Sequence, residues 1–489
     1  MNPFDAASPF DARYYFADRV FFDRLHPYVS EAAQIKYLAR VEAALVETLA
    51  DLGLCSRAAA AEVTRAAGEV TPEEVYEEER RIQHNIRALV NCIRNRVGEE
   101  AKPFVHLFAT SADVMDTARA LCLKEATRDV LVPMVVELMH TTIHLAKTHA
   151  ATPQMGRTHG QHAVPLTFGF AMALYVSRFG QRLETIVAAA RNLRGKFAGA
   201  VGAYNALSLY RPGDPEAVEA MLMHKLGLVP PEISTQVTQP EYVADFVYAL
   251  ASMWGVMANL ADDCRNLQRS EIREIRDRKE SDTKSAVVGS STMPHKVNPK
   301  DFENVKSMWK AYVPRLLTVL MDQISEHQRD LTNSASMRYV IEFVAAFAYG
   351  LYRLRGSLEG IEPDVARMRQ TLEAGKDPVT AEPLYVLLSL AGHPDAHEEA
   401  RVMARKARAQ GSTLSAAIRS DPGLAPYLAK LTADQRAVLD EPATYLGASA
   451  ARTQAICGEW EKRLEELKVR PESAVAGGGV RGANHTTPH

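Results

Sequence analysis

Apolar residues recur at helical spacing through most of the chain, most clearly in five long stretches at 116–149, 166–194, 237–268, 301–325 and 337–359. In the third, Tyr242, Val243, Phe246, Val247, Leu250, Trp254, Met257, Leu260 and Cys264 hold one period throughout. A shorter amphipathic segment precedes them, with Ala33, Tyr37, Leu38, Val41, Ala44, Leu45 and Leu49 on one face and a stop near Gly53. After about residue 360 the pattern breaks into shorter helices around Gly375-Lys376-Asp377-Pro378 and Gly411-Ser412-Thr413. The pattern therefore predicts an all-α protein. Its expected regions are an N-terminal helical domain (1–115), a central long-helix bundle (116–360), a C-terminal helical domain (361–470) and a flexible polar tail (471–489). Apolar residues lie on more than one face of the long helices, which implies that identical subunits complete the core.

A chain of 489 residues is too long for one ordinary core, in keeping with several domains. A formal net charge of -3 gives no single-sign field, so nucleic acid and anionic membrane are poor partners. The pattern shows no uninterrupted apolar run of bilayer length, and Met1-Asn2-Pro3-Phe4-Asp5 lacks the basic and apolar regions of a signal peptide. A cytoplasmic protein is expected. Cys55, Cys92, Cys122, Cys264 and Cys457 are odd in number and scattered without CxxC spacing, as expected of reduced, buried thiols.

The polar chemistry falls between the apolar stretches. Gly289-Ser290-Ser291-Thr292-Met293-Pro294-His295-Lys296-Val297-Asn298-Pro299 cannot be a helix interior or a central strand. It is a loop that concentrates hydroxyls, a lysine and an amide, with Glu303 just downstream. Thr110-Ser111-Ala112-Asp113 has the form of a helix entry, where hydroxyls and free N–H groups also suit a carboxylate. Met155-Gly156-Arg157-Thr158-His159-Gly160-Gln161-His162 holds two histidines but no Cys, Asp or Glu at ligand spacing, so no metal site is expected. The glycine-rich 195–205 segment lacks the preceding strand of a dinucleotide fingerprint. Taken alone, His84 on a charged helix, Ser334 and Arg338 could each be ordinary surface residues or caps.

The 289–299 string resembles the signature loop of the fumarase/aspartase superfamily almost letter for letter. Together with Ser8-Pro9-Phe10-Asp11-Ala12-Arg13-Tyr14, Thr110-Ser111, Arg157-Thr158-His159-Gly160-Gln161 and the 327–338 loop, it is similar to that superfamily's bacterial adenylosuccinate lyases. The resemblance implies a three-domain fold with five long helices per chain, a twenty-helix core in a homotetramer, active sites shared between subunits, and no cofactor. It implies fumarate release by β-elimination across a carbon–nitrogen bond, with adenylosuccinate and SAICAR as substrates in purine biosynthesis. Ser290 would be the base and His159 the acid that protonates the departing nitrogen, with Glu303 orienting the imidazole and His84 also at the site. Lys296, Asn298, Thr110 and Ser111 would stabilise the doubly charged aci-carboxylate that proton removal creates. Gln236, Thr158, Ser291 and Met293 would contact substrate, while Arg13, Tyr14, Arg329, Ser334 and Arg338 would bind nucleotide, mostly its phosphate.

Asn85 stands where the family has an aspartate beside the histidine, and an amide cannot supply a charge to nucleotide or imidazole. The residues after Gln236 also depart from the basic version common in the family. Both keep open a sister lyase acting on another succinyl compound, such as a nitrosuccinate lyase or a cycloisomerase relative. A non-catalytic structural descendant is the remaining alternative, opposed by the presence of Ser290, Lys296, Glu303 and His159 together.

Overall fold

The computed structural model describes residues 7–278, 292–293 and 295–469, the side chains of 468 and 469 excepted. The chain divides into two compact units, one of 1–138, 181–269 and 277–361 and one of 139–180, 270–276 and 362–489. Helices dominate both, and their ends follow local chemistry. Glu31–Asp51 starts where the Ser30 side chain accepts from the Ala33 N–H, and the chain turns away at Gly53 with φ +76°. Pro72–Ile82 opens with a Thr71/Glu74 capping box and a proline in its first turn, and closes on left-handed Gln83.

In the first unit, buried residues from Ile35 to Val105 form a core of their own, including Val46, Val63, Leu89 and Ile93. The first long stretch begins at Ser111, five residues earlier than its apolar period, as Ser111–Ala126, a π turn at Thr127–Leu131 and then Val132–Thr148. The others are Phe168–Arg191, Glu241–Leu267 and Tyr339–Glu359. The expected helix at 301–325 is instead Lys300–Tyr312 followed by Arg315–Met321. Pro314 explains the break, since it lacks an N–H and its ring clashes with the preceding turn. Trp254 is fully buried where Glu241–Leu267, Lys300–Tyr312 and Tyr339–Glu359 meet, stacked on Tyr312 at 6.0 Å and edge-on to Phe343 and Phe347 at 5.6 and 5.8 Å.

The second unit departs from helix at a point that bears on the chemistry. The sequence pattern reads 155–163 as a loop. It is an antiparallel hairpin of Pro153–Thr158 with Gln161–Thr167. The shorter helices Val365–Ala374, Lys376–Leu390 and Ala396–Gln410, with the 21-residue Ser449–Val469, make up most of the rest, and a core is drawn from residues 384–439. Gly180 lies so close to Trp460 that a Cβ there would sit 2.5 Å from the indole.

Two helical stretches, Ser111–Thr148 and Glu241–Leu267, are long and apolar enough to cross a bilayer, but their most apolar windows are 56% and 67% buried within the protein. That is the behaviour of core helices. Leu174 and Tyr248 on long helices, and Leu317 and Met321 on Arg315–Met321, remain exposed.

Candidate active site

In the first unit the start of Ser111–Ala126 is fixed by a buried ion pair. The Thr110 N–H donates to Asp113 Oδ2 at 2.8 Å, and Asp113 also accepts from the Ala198 and Gly199 N–H groups and from Lys196 Nζ. Both charged side chains are fully buried, so each depends on the other and on those amides to offset lost hydration. Thr117 exchanges hydrogen bonds with the Lys196 backbone at 2.9 and 3.0 Å, which doubles the attachment. The Phe197 N–H and the Tyr204 hydroxyl both reach Glu219 at 2.6 Å, and burial pushes that carboxyl above its ordinary range. The glycine-rich segment is therefore a tethered strap across the helix start.

The strap leads to Gln236. Gly202, at φ +77°, passes so near Ser234 that a Cβ would lie 2.1 Å from its carbonyl oxygen. The Gln236 N–H donates to the Gln328 carbonyl at 3.3 Å, and Thr238 donates to Asp116, which pairs with Arg119 at 3.2 Å. Arg329 has a left-handed backbone (φ 111°) and is held by Ser325 Oγ at 2.6 Å and the Asp322 carbonyl at 3.3 Å. Burial raises the Asp322 carboxyl above its usual range, against a hydrogen bond from Ser336 and the charges of Arg329 and Arg119. Thr110, Ser111, Gln236 and Arg329, up to 219 residues apart, thus belong to one network of hydrogen bonds, close backbone approaches and adjacent residues. Ser334 and Arg338 are exposed and share an open shelf with Tyr339 and Glu342. Arg315 spans the rings of Tyr312 and Tyr339 at 4.6 and 5.2 Å and pairs with Glu342. Tyr312 in turn meets Phe10 at 5.7 Å, and Phe10 meets Tyr14 at 5.4 Å. By this chain of rings the Arg13-Tyr14 arm is anchored on the side of the Arg338 shelf, with Arg13 exposed.

His84 is the N-cap of Asn85–Arg94, its Nδ1 accepting from the Arg87 N–H at 3.2 Å, and the Asn85 side chain accepts from the Ile86 N–H. A residue not anticipated from sequence lies nearby. His106 Nδ1 contacts Glu42 at 2.6 Å, and Glu42 is fully buried, its second oxygen without a hydrogen-bond partner among the described residues. Burial opposes a charged imidazole here, but the Glu42 hydrogen bond and charge, aided by Asp113 and opposed by Arg87, leave the His106 pKa above its ordinary value. The sequence signal was its place four residues before Thr110; the partner, 64 residues away, left none.

Of the signature loop, Ser290 and Ser291 lie outside the described residues. Met293 and Lys296 are exposed, and the Lys296 N–H donates to the Met293 carbonyl at 3.0 Å. Asn298 is half-buried, and its carbonyl accepts from the Lys300 N–H. Glu303 is exposed in the first turn of Lys300–Tyr312, whose Asp301 is clamped by Arg353 at 2.5 Å.

In the second unit, Thr158 pairs with Gln161, which leaves His159 and Gly160 as a two-residue hairpin turn. Their φ values are 53° and 73°, the twist a tight hairpin requires. Glycine suits that conformation; histidine adopts it at a cost. His159 is exposed at the tip, and Thr158 beside it is exposed as well.

A helical body with long central helices and polar loops at their ends defines a class, and the comparisons agree with it. A lyase family model matches residues 16–311, and an adenylosuccinate lyase C-terminal model matches 325–435. A solved 3-carboxy-cis,cis-muconate lactonizing enzyme from Pseudomonas putida is similar at a TM-score of 0.78 and 26% identity, covering 92% of this chain and 99% of that one. The class is thus a lyase of the fumarase/aspartase superfamily. Adenylosuccinate lyase from Pyrococcus abyssi is 35% identical over 81% of this chain and 88% of its own, and N-acetyl-S-(2-succino)cysteine lyase from Enterococcus italicus is 32% identical over 70% and 74%. The chain belongs to the adenylosuccinate lyase family, whose members are carbon–nitrogen lyases.

Proposed function

We propose that the protein cleaves adenylosuccinate to AMP and fumarate, and SAICAR to AICAR and fumarate. The observation that carries this reading is the network that ties the Thr110-Ser111 helix start to Gln236 and Arg329 through Asp113, Lys196 and the Gly202 strap. Hydroxyls and N–H groups at a helix start suit a carboxylate, and a guanidinium at the far end of the network suits a phosphate. A substrate with a succinyl group at one end and a phosphate at the other meets both demands.

In the reaction Ser290 removes the C–H proton beside a carboxylate, and electron density moves into an aci-carboxylate held by Lys296, Asn298, Thr110 and Ser111. Collapse breaks the carbon–nitrogen bond, and His159 protonates the departing nitrogen, with Glu303 as its orienting carboxylate. A serine is a poor base unless ionised, so Ser290 acts once Lys296 and loop N–H groups have closed on substrate. Arg13, Tyr14, Ser334 and Arg338 grip the nucleotide; Thr158, Ser291, Met293, His84 and Asn85 line the rest. The enzyme works in the cytoplasm as a homotetramer in which partner copies complete each site. The exposed Leu174 and Tyr248 on the long helices support that assembly.

The test is fumarate release, followed by absorbance, from adenylosuccinate, SAICAR, aspartate and N-acetyl-S-(2-succino)cysteine side by side. Turnover confined to the two nucleotides supports the reading. Preference for the cysteine conjugate would favour a sister activity, for which Asn85 and the Enterococcus italicus relative are the grounds.

A further inference from the structure

The hairpin that presents His159 has no helix to stiffen its tip, yet a general acid must be held to within a fraction of an ångström of the departing group. What fixes it is a buried carboxylate. Arg157, two residues before His159, makes a two-pronged pair with Glu274, at 2.6 Å from Nη2 to Oε1 and 3.1 Å from Nη1 to Oε2. The same Nη1 donates to the Met155 carbonyl at 3.1 Å, and Gln154 Nε2 donates to Glu274 Oε2 at 2.8 Å. Glu274 is fully buried, and the Arg157 side chain is 19% exposed. Two side chains of one strand, three positions apart, thus converge on one carboxylate. They do so across a register shift between Met155 and Arg157, where Gly156 lies against the Val164 carbonyl so closely that a Cβ would sit 2.2 Å away.

Glu274 is itself held. Its carbonyl accepts from the Asp364 N–H at 2.8 Å, and Arg367 donates to the Ile272 and Glu271 carbonyls at 2.9 and 2.7 Å. The other side of the hairpin rests on Gly375, where a Cβ would come within 2.7 Å of Met155 Cε and 2.8 Å of His162 Nδ1. A buried ion pair is weak support for stability, because desolvation offsets most of its attraction. A role other than stability is therefore the better account of this pair.

We propose that Glu274 is a positioning residue for His159, acting through Arg157 and Gln154 to set the hairpin tip. The inference rests on the reading of His159 as the general acid. The test compares Glu274→Gln, the pair Arg157→Met/Glu274→Met, His159→Ala and Glu274→Gln/His159→Ala, with adenylosuccinate or whichever of the four compounds is turned over. Circular dichroism and the melting temperature establish folding. The paired variant removes both charges together, so it keeps the unit folded where Glu274→Gln strands a guanidinium. Folded Glu274→Gln and the folded pair are expected to lose kcat on the order of ten- to a hundredfold, with KM changed by less than about threefold. Adding Glu274→Gln to His159→Ala should cost nothing further, since its target is gone. Parental kcat in the folded pair, or a full additional loss in the His159→Ala background, overturns the inference while leaving His159 in place. Parental turnover in His159→Ala itself removes the acid assignment and the inference with it, so the two failures are distinct.

Discussion

The Asp113/Lys196 pair makes an asymmetric prediction. Replacing Asp113 by leucine leaves the Lys196 ammonium fully buried without its counter-ion and strips an acceptor from the Thr110, Ala198 and Gly199 N–H groups. Breaking a buried ion pair from one side costs about 3–5 kcal/mol, and each orphaned buried donor adds about 1–3 kcal/mol. Lys196→Met removes only the ammonium. The carboxylate then still accepts three backbone N–H bonds, a shell able to hold an ionised Asp, so the cost should sit near the lower end, about 3 kcal/mol. The measurement is urea unfolding of both variants followed by circular dichroism. The expected order is Asp113→Leu well below Lys196→Met, with Asp113→Leu failing to reach a stable native baseline. The Lys196→Met protein should also show a raised KM, because Thr110 and Ser111 sit on the segment the pair secures. Equal destabilisation by the two changes, or a reversed order, would refute the argument that the backbone amides carry Asp113.

Three further outcomes are expected. His106 gains stability from Glu42 when it is charged, and its folded pKa lies above the ordinary 6.5. That stabilisation is fully present below about pH 6.5 and is lost as pH rises through the higher folded value. Glu42→Gln should flatten the difference in urea stability between pH 6 and pH 8, and an unchanged difference would exclude the pair as its source. Arg338→Ala should raise KM for adenylosuccinate by about ten- to a hundredfold, the equivalent of about 1.5–3 kcal/mol for one lost charged hydrogen bond to phosphate. The melting temperature should stay put, because Arg338 is exposed; an unaltered KM would take it out of the phosphate site. Ser290→Ala and His159→Ala should each lose most turnover, and mixing the two should restore part of it through hybrid sites. If labelled subunits exchange and activity stays at background, the sites are not shared.

Particular residues mark where sequence reasoning reached its limit. Long helices such as Glu241–Leu267 were legible because a 3.6-residue period is a local property, written in neighbours such as Phe246, Val247 and Leu250. The start at Thr110 was legible for the same reason, since a cap and the helix it begins are adjacent. Pro314 is a local signal that apolar periodicity masks, since the period runs on through 301–325 while the helix breaks there. The hairpin under His159 reads as a loop in the sequence because Gly156 and Gly160 carry little strand preference. It is specified by pairing with 161–167 and by Glu274, which lies 117 residues from Arg157. Asp113 and Lys196 are 83 residues apart, and Glu42 and His106 are 64 apart. By itself the sequence determined the helical period, the polar loops and the family strings, because each is a short-range pattern of side chains along the chain. Only the tertiary structure decided which buried charges meet, because desolvation makes an unpaired buried charge costly, and the partner that offsets it is chosen by packing in space rather than by distance along the chain.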